Sequence, residues 1–156
     1  MTRKRYGLVP EDEQRTMGGL QFVQGLVAGT LPLNSMAATI GYDIIAAESG
    51  RVTVTAEPTA AHLNPAGGVH GGFAATLLDT CMGLAIFTTL EAGYAQTTVE
   101  FKVSLARPIT PQTGLVTAVG TLLTRGRRIG MADGRVTDRN GRLLAHGTTT
   151  CLIFER

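Results

Sequence analysis

The sequence predicts an α+β domain: one curved antiparallel sheet wrapped around one long helix. Three observations carry this. Residues 71–88 are rich in Ala, Leu and Met and are apolar nearly all round, the pattern of a helix buried on every side. The segments before and after it read as alternating or short apolar runs bounded by turn residues, the pattern of strands. Only one long helix lies among those strands, whereas a doubly wound parallel sheet needs repeated crossovers.

The elements follow in order. Residues 1–10, with Arg3, Lys4 and Arg5, read as a solvated, flexible tail. Residues 11–29 begin acidic and carry Leu20, Phe22, Val23, Leu26 and Val27 at helical spacing, although Gly18, Gly19 and Gly25 weaken one unbroken helix. Residues 31–36, with Pro32, are a linker. Two strands follow, 39–47 and 51–57, joined by a turn at Glu48-Ser49-Gly50. Residues 58–68 are a loop, and the long helix then runs from Gly71 to about Thr88. Four strands complete the chain, at 95–105, 114–123, 129–138 and 142–154. Asp138-Arg139-Asn140-Gly141 marks a tight turn, and Pro108 and Pro111 exclude a central strand there.

The bulk composition narrows the class. A chain of 156 residues fits one domain, 1–156, with a sizeable core. Apolar residues make up 44% but aromatics only 5%, so aliphatic side chains must fill the interior. Fourteen basic residues against twelve acidic ones give +2, which argues against nucleic acid as a partner. No stretch reaches membrane-spanning length, no signal-peptide core opens the chain, and Cys81 and Cys151 both sit in apolar patterns as small hydrophobes. A cytoplasmic protein is expected. The alternation Thr97, Val99, Phe101, Val103 leaves apolar side chains in need of cover, so a homo-oligomer is expected, as a dimer or a dimer of dimers.

The chemistry concentrates in residues 62–80, HLNPAGGVHGGFAATLLDT. Gly67, Gly68, Gly71 and Gly72 precede the helix, whose first N–H groups have no partners within it. Glycines there leave those donors open to an anion or an oxyanion, or else build a tight turn. The stretch has neither the dinucleotide-binding fingerprint nor a phosphate-loop ending. Asp79 falls two turns into the buried helix, where an unpartnered charge is costly. It is either a structural carboxylate or a general base or nucleophile in a partly dry site. His70 stands at the helix start and can bond a neighbouring backbone group. Asn64 can cap the loop or position a carbonyl or water. No metal-ligand spacing and no G-x-S-x-G elbow occur.

Asn64, His70-Gly71-Gly72 and Asp79-Thr80, with separations of six and nine residues, resemble the PaaI-type acyl-CoA thioesterases of the hot-dog fold. The resemblance extends over about residues 30–154. It implies that the Gly71 N–H binds the thioester oxygen as it gains charge. Asp79 of a partner subunit would activate water or attack the carbonyl. Asn64 would position water or the carbonyl, Thr97 on the next strand would hold the water or orient Asp79, and His70 would shape the oxyanion site. No cofactor is implied, because CoA belongs to the substrate. Arg125, Arg127 and Arg128, with Lys102 and Arg107, are candidates to grip its phosphates. Leu33, Met36, Ile40, Phe73, Leu77 and Met82 are candidates for an acyl pocket, whose entrance the N-terminal helix would cover. Aromatic and short or medium aliphatic acyl groups both fit. Two other roles on the same fold are a non-catalytic acyl-CoA binder and an enoyl-CoA hydratase or dehydratase. Gly71 and Asp79 lie eight residues apart, about 12 Å along one helix axis. Both can reach one carbon only if they come from different subunits.

Overall fold

The computed structural model describes residues 4–156. Three short helices come first, α1 (Glu11–Thr16), α2 (Gly19–Ala28) and α3 (Ser35–Ile40). Strands β1 (Tyr42–Glu48) and β2 (Arg51–Ala56) lead to the long helix α4 (Gly71–Phe87). Then follow β3 (Tyr94–Leu105), β4 (Val116–Arg125), β5 (Ile129–Thr137) and β6 (Leu143–Glu155). The six strands form one antiparallel sheet in the order β1-β2-β4-β5-β6-β3. It wraps α4, on which Leu77, Leu78, Met82 and Ile86 are fully buried. This is the hot-dog fold.

The helix lies close against the sheet because glycines make room for it. Gly120, Gly134 and Gly147 stand directly opposite one another on β4, β5 and β6. A Cβ at Gly120 would fall 2.2 Å from the Cys81 carbonyl oxygen, and one at Gly134 would fall 2.8 Å from Met82 Cγ. Side chains in that row would lift α4 off the sheet and open the core.

The N-terminal third departs from expectation in three places. The helix over 11–29 is two helices, because Met17 and Gly18 are extended. Gly19 is pressed onto the end of α4, where a Cβ would stand 1.7 Å from the Phe87 carbonyl oxygen, and its N–H donates to the Leu90 carbonyl at 2.9 Å. Residues 4–10 are docked rather than trailing in solvent. Lys4 pairs with Asp43, and the Gly7 N–H donates to the Leu33 carbonyl at 2.8 Å. Residues 1–3, including Arg3, lie outside the described residues. Finally, β1 begins at Tyr42 rather than residue 39, because α3 takes up 35–40. Asn34 caps α3 by accepting the Ala37 N–H at 2.9 Å, and Gly41 ends it in the left-handed conformation, φ 75°.

Two strands form the sheet edges, β1 and β3. Among the described residues no strand lies beside the outer edge of the twelve-residue β3, and Val99, Phe101 and Leu105 on that strand are exposed. No helix among the described residues is long and apolar enough to cross a membrane.

Candidate active site

The loop before α4 is held mainly by its own backbone, with one outside tie from the Val69 N–H to the Ile109 carbonyl at 3.0 Å. The Asn64 N–H donates to the Gly68 carbonyl at 2.7 Å, and the Gly67 N–H returns to the Asn64 carbonyl at 3.0 Å. The Asn64 side-chain oxygen accepts the Ala66 N–H at 2.9 Å and the Gly68 N–H at 3.2 Å. Gly67 makes this turn with φ 87°. Of the two sequence readings of Asn64, loop capping is what the side-chain oxygen does. Its NH2 group makes no bond among the described residues.

The loop delivers His70 as the N-cap of α4. His70 Nδ1 accepts the Gly72 N–H at 2.9 Å, and the His70 carbonyl accepts the Phe73 N–H at 2.9 Å. An accepting Nδ1 places the proton of the neutral ring on Nε2. With Gly72 and Phe73 engaged, Gly71 has an N–H with no acceptor among the described residues. It points out of a helix terminus, where the aligned peptide dipoles favour negative charge. A pocket of about 270 Å³ adjoins it, lined by His70, Gly71, Ala74, Leu105, Arg107 and Pro108.

Asp79 lies in a different pocket, of about 340 Å³. It is half-buried on the face of α4 that meets β3. Thr98 Oγ1 donates to Asp79 Oδ1 at 2.9 Å, and Gln96 Nε2 donates to the Gly83 carbonyl one turn further along α4, at 3.2 Å. Phe22, Leu26, Leu33, Ile44 and Leu84 give the pocket an apolar wall, and residues 7–9 complete it. The N-terminal segment therefore covers the Asp79 pocket. Leu33 lines it as expected, but Phe73, Leu77 and Met82 belong to the core beneath α4 and Met36 is exposed.

Thr97 requires a correction. Its side chain is exposed, and the hydroxyl on Asp79 is that of Thr98. Successive strand residues face opposite sides of a sheet, so Gln96 and Thr98 turn toward α4 and Thr97 turns away. The resemblance pointed to the right strand, and the hydroxyl on Asp79 is one residue further along it. Gln96 was missed altogether, and alternation groups it with Thr98 only once that face of β3 is known to meet α4.

The structure does not gather the proposed CoA-binding cations. Arg125 is committed to Glu91 at 2.8 Å, just beyond the C-terminal end of α4, and Arg127 and Arg128 are exposed in the neighbouring β4–β5 turn. Lys102 is exposed on β3. Arg107 alone of the five borders the Gly71 pocket, while donating to the Leu143 carbonyl at 2.6 Å. It also lines an adjoining pocket with Arg139 and Arg142, which the sequence reading did not single out.

A loop-built donor at Gly71 and a carboxylate held by a strand hydroxyl are parts suited to acyl transfer. The thioesterase superfamily model matches residues 66–145, just over half of the chain and the whole stretch from the glycine loop to β6. The chain belongs to the thioesterase superfamily. Thioester hydrolysis is thus its activity at the level of the family. It is 24% identical over 118 residues to 1,4-dihydroxy-2-naphthoyl-CoA hydrolase of Listeria monocytogenes, an alignment covering 76% of this chain and 94% of that one. Among solved structures it is similar to a phenylacetic acid degradation-related protein from Ralstonia eutropha, with 30% identity, TM-score 0.76, and coverage of 84% and 98%. It is also similar to a hypothetical thioesterase protein of Streptococcus pneumoniae solved with coenzyme A, with 25% identity, TM-score 0.66, and coverage of 74% and 90%.

Proposed function

We propose that this superfamily member is a PaaI-type thioesterase that hydrolyses acyl-CoA to a free carboxylic acid and CoA at a site shared by two copies of the chain. The observation that carries this reading is the division of the machinery between two pockets. The unpartnered Gly71 N–H stands in one, the Thr98-bonded Asp79 in the other, and about 12 Å of helix separates them. A second copy pairing through the open edge of β3 would continue the sheet and cover Val99, Phe101 and Leu105. It would also bring Asp79 of one copy toward Gly71 of the other.

In that arrangement the thioester oxygen accepts the Gly71 N–H. Asp79 takes a proton from a water whose oxygen bonds to the carbonyl carbon. The C–S bond then breaks, and the proton held by Asp79 passes to the departing CoA thiolate, which regenerates the carboxylate. Asp79 attacking the carbonyl itself would use the same geometry, with water releasing the acyl group in a second step. Thr98 orients the carboxylate, and Asn64 and His70 hold the loop that aims Gly71. The acyl group occupies the apolar pocket under α2. The CoA arm leaves past Arg107 toward Arg139 and Arg142. The naphthoyl-CoA hydrolase and the phenylacetic acid-related protein support an aromatic acyl group, and the coenzyme A-bound relative supports CoA as its carrier.

The test is thiol release from phenylacetyl-, hydroxybenzoyl-, hexanoyl- and palmitoyl-CoA by wild type and Asp79→Asn. The expected outcome is turnover that falls roughly 10²–10⁴-fold in a folded variant, the range for loss of a general base. Equal rates in the two proteins, or no turnover with any thioester, would remove Asp79 from this role.

A further inference from the structure

One wall of the Asp79 pocket is built unlike the others. Leu26 of α2 and Tyr42 and Ile44 of β1 are buried in the core, and Phe22 packs edge-on against Phe87 of α4, with ring centroids 5.5 Å apart. Those walls move only if the core moves. Gly7, Leu8 and Val9 supply the remaining wall. They belong to a strap, residues 4–9, that runs parallel to the chain at Leu33, itself a lining residue. The Leu33 N–H donates to the Arg5 carbonyl at 2.9 Å, and the Gly7 N–H donates to the Leu33 carbonyl at 2.8 Å. Lys4 latches one end, pairing with Asp43 and donating to the Ile44 carbonyl at 3.2 Å. At the other end the Val9 carbonyl accepts from Gln14 at 2.6 Å. Of the strap's side chains Val9 alone is buried, while Tyr6 and Leu8 stand in solvent.

The strap is therefore the wall that opens most cheaply. Between its ends it has two strand-type bonds and an exposed Arg5 contact with the Thr30 carbonyl, and the partners of its ion pair are 25% and 41% exposed. Exposed pairs contribute little, and segments with few buried apolar contacts open locally while the core stays folded. Gly7 sits mid-strap with φ 156°, a value open to glycine and closed to proline. We propose that this strap is a specificity element that gates acyl length. Closed, it confines the acyl group to the cavity of about 340 Å³ beside Asp79. Lifted, it lets a longer chain run out between residues 7–9 and Leu33. This rests on the thioesterase reading above. A short or aryl acyl group binds the closed form. A long one binds only the open fraction, and its apparent affinity falls by that fraction.

The gate is read by amide hydrogen exchange and by the ratio of kcat/KM for dodecanoyl-CoA to that for hexanoyl-CoA. In wild type the Gly7 and Leu33 amides should exchange well before the core of α4. Hexanoyl-CoA should be favoured about tenfold or more, as for a minor open state. Lys4→Gln removes the latch from outside the pocket. It should speed exchange at both amides roughly two- to fivefold and raise the ratio by the same factor, the range for an exposed ion pair. Gly7→Pro removes one strand-type bond and forbids the native φ, and should raise the ratio about tenfold, toward one. Dodecanoyl-CoA accepted by wild type as readily as hexanoyl-CoA overturns the proposal. So do strap amides that exchange only with the core, and so does a ratio unchanged in a variant whose Leu33 amide exchanges faster. Should Gly7→Pro not fold, Lys4→Gln and wild type decide. Calorimetric Kd values for the non-hydrolysable thioether analogues separate the two readings. A chain-length ratio in Kd that follows exchange, without any turnover, keeps the gate and removes hydrolysis. Turnover whose ratio ignores exchange does the reverse.

Discussion

The loop ending at Gly71 and the middle of α4 around Asp79 are built by opposite means. The loop is local. Asn64, Gly67, Gly68 and His70 are neighbours in sequence, and most of the bonds that shape the turn close among residues 62–72, with one long-range tie from the Val69 N–H to the Ile109 carbonyl at 3.0 Å. Its product is a bare backbone donor. The Asp79 region is assembled at a distance. Its carboxylate is held by Thr98, nineteen residues on, and its pocket is walled by helices from the start of the chain. Its product is a side chain in a chosen surrounding. The difference suits the two tasks: a backbone amide needs only a rigid turn to aim it, whereas a carboxylate's reactivity depends on what surrounds it.

The comparison can be broken most sharply at Gly71. Gly71 is the first residue of α4, where proline is well tolerated, and His70 before it already has φ −59° and ψ 136°, compatible with a following proline. Gly71→Pro thus deletes the N–H while keeping helical geometry, its Cβ requiring only that the far end of the Leu105 side chain, 2.8 Å away, turn aside. We expect an unchanged circular dichroism spectrum and a loss of roughly 10²–10³-fold in kcat. A folded Gly71→Pro protein at wild-type rate would show that the donor lies elsewhere. The sharing of the site is read next by mixing Asp79→Asn with Gly71→Pro chains and letting the subunits exchange. If two copies share each site, the mixture should recover about one quarter of wild-type activity, because half the dimers are mixed and each of those has one intact site. No recovery after verified exchange would place both groups in one chain.

The Asp79 half is sharpened by two neighbouring hydroxyls. Thr98→Val removes the bond to Asp79 and should lower kcat about tenfold, in keeping with a hydrogen bond to a charged group. Thr97→Val should stay within about twofold, as for other exposed substitutions. The reverse ranking would restore Thr97 to the role that the family resemblance implied.

The smallest effect concerns the helix itself. Burial pushes the Cys81 thiol up to about 12, so it stays protonated in the native protein at pH 8 and is a poor nucleophile. Iodoacetamide should leave Cys81 intact at that pH and label it only after unfolding, as read by peptide mass. The sign of the linkage follows. The neutral thiol's contribution to stability is complete below its ordinary value of 9.0 and is lost as pH rises toward 12. Labelling of the native protein at pH 8 would show that α4 opens locally.

Much of this was legible in residue order, and the misses share a cause. The long helix, the tight turns and the strand segments announce themselves through composition and short-range period, and their ends fall within a few residues of expectation. The errors concern what packs against what. Thr97 was named where Thr98 meets Asp79, because counting residues does not fix which face of β3 meets α4. The N-terminal helix was read as one, and residues 4–10 as a tail, because the contacts of Gly19 with Phe87 and of Lys4 with Asp43 cross much of the chain. The arginines were grouped by adjacency, yet Arg125 answers to Glu91 while Arg107 meets Arg139 and Arg142 across a pocket.

The sequence by itself determined the class of fold and the donor turn, since an all-round apolar helix must be buried and a glycine loop with its own Asn and His closes locally. Tertiary structure alone decided the rest of the site. Gly120, Gly134 and Gly147 are scattered in sequence and become a trough for α4 only once β4, β5 and β6 are in register. In the same way Thr98 and Gln96 become partners of α4 only when β3 takes its place at the sheet edge. Register and packing are sums over distant contacts, and no local window of sequence contains them.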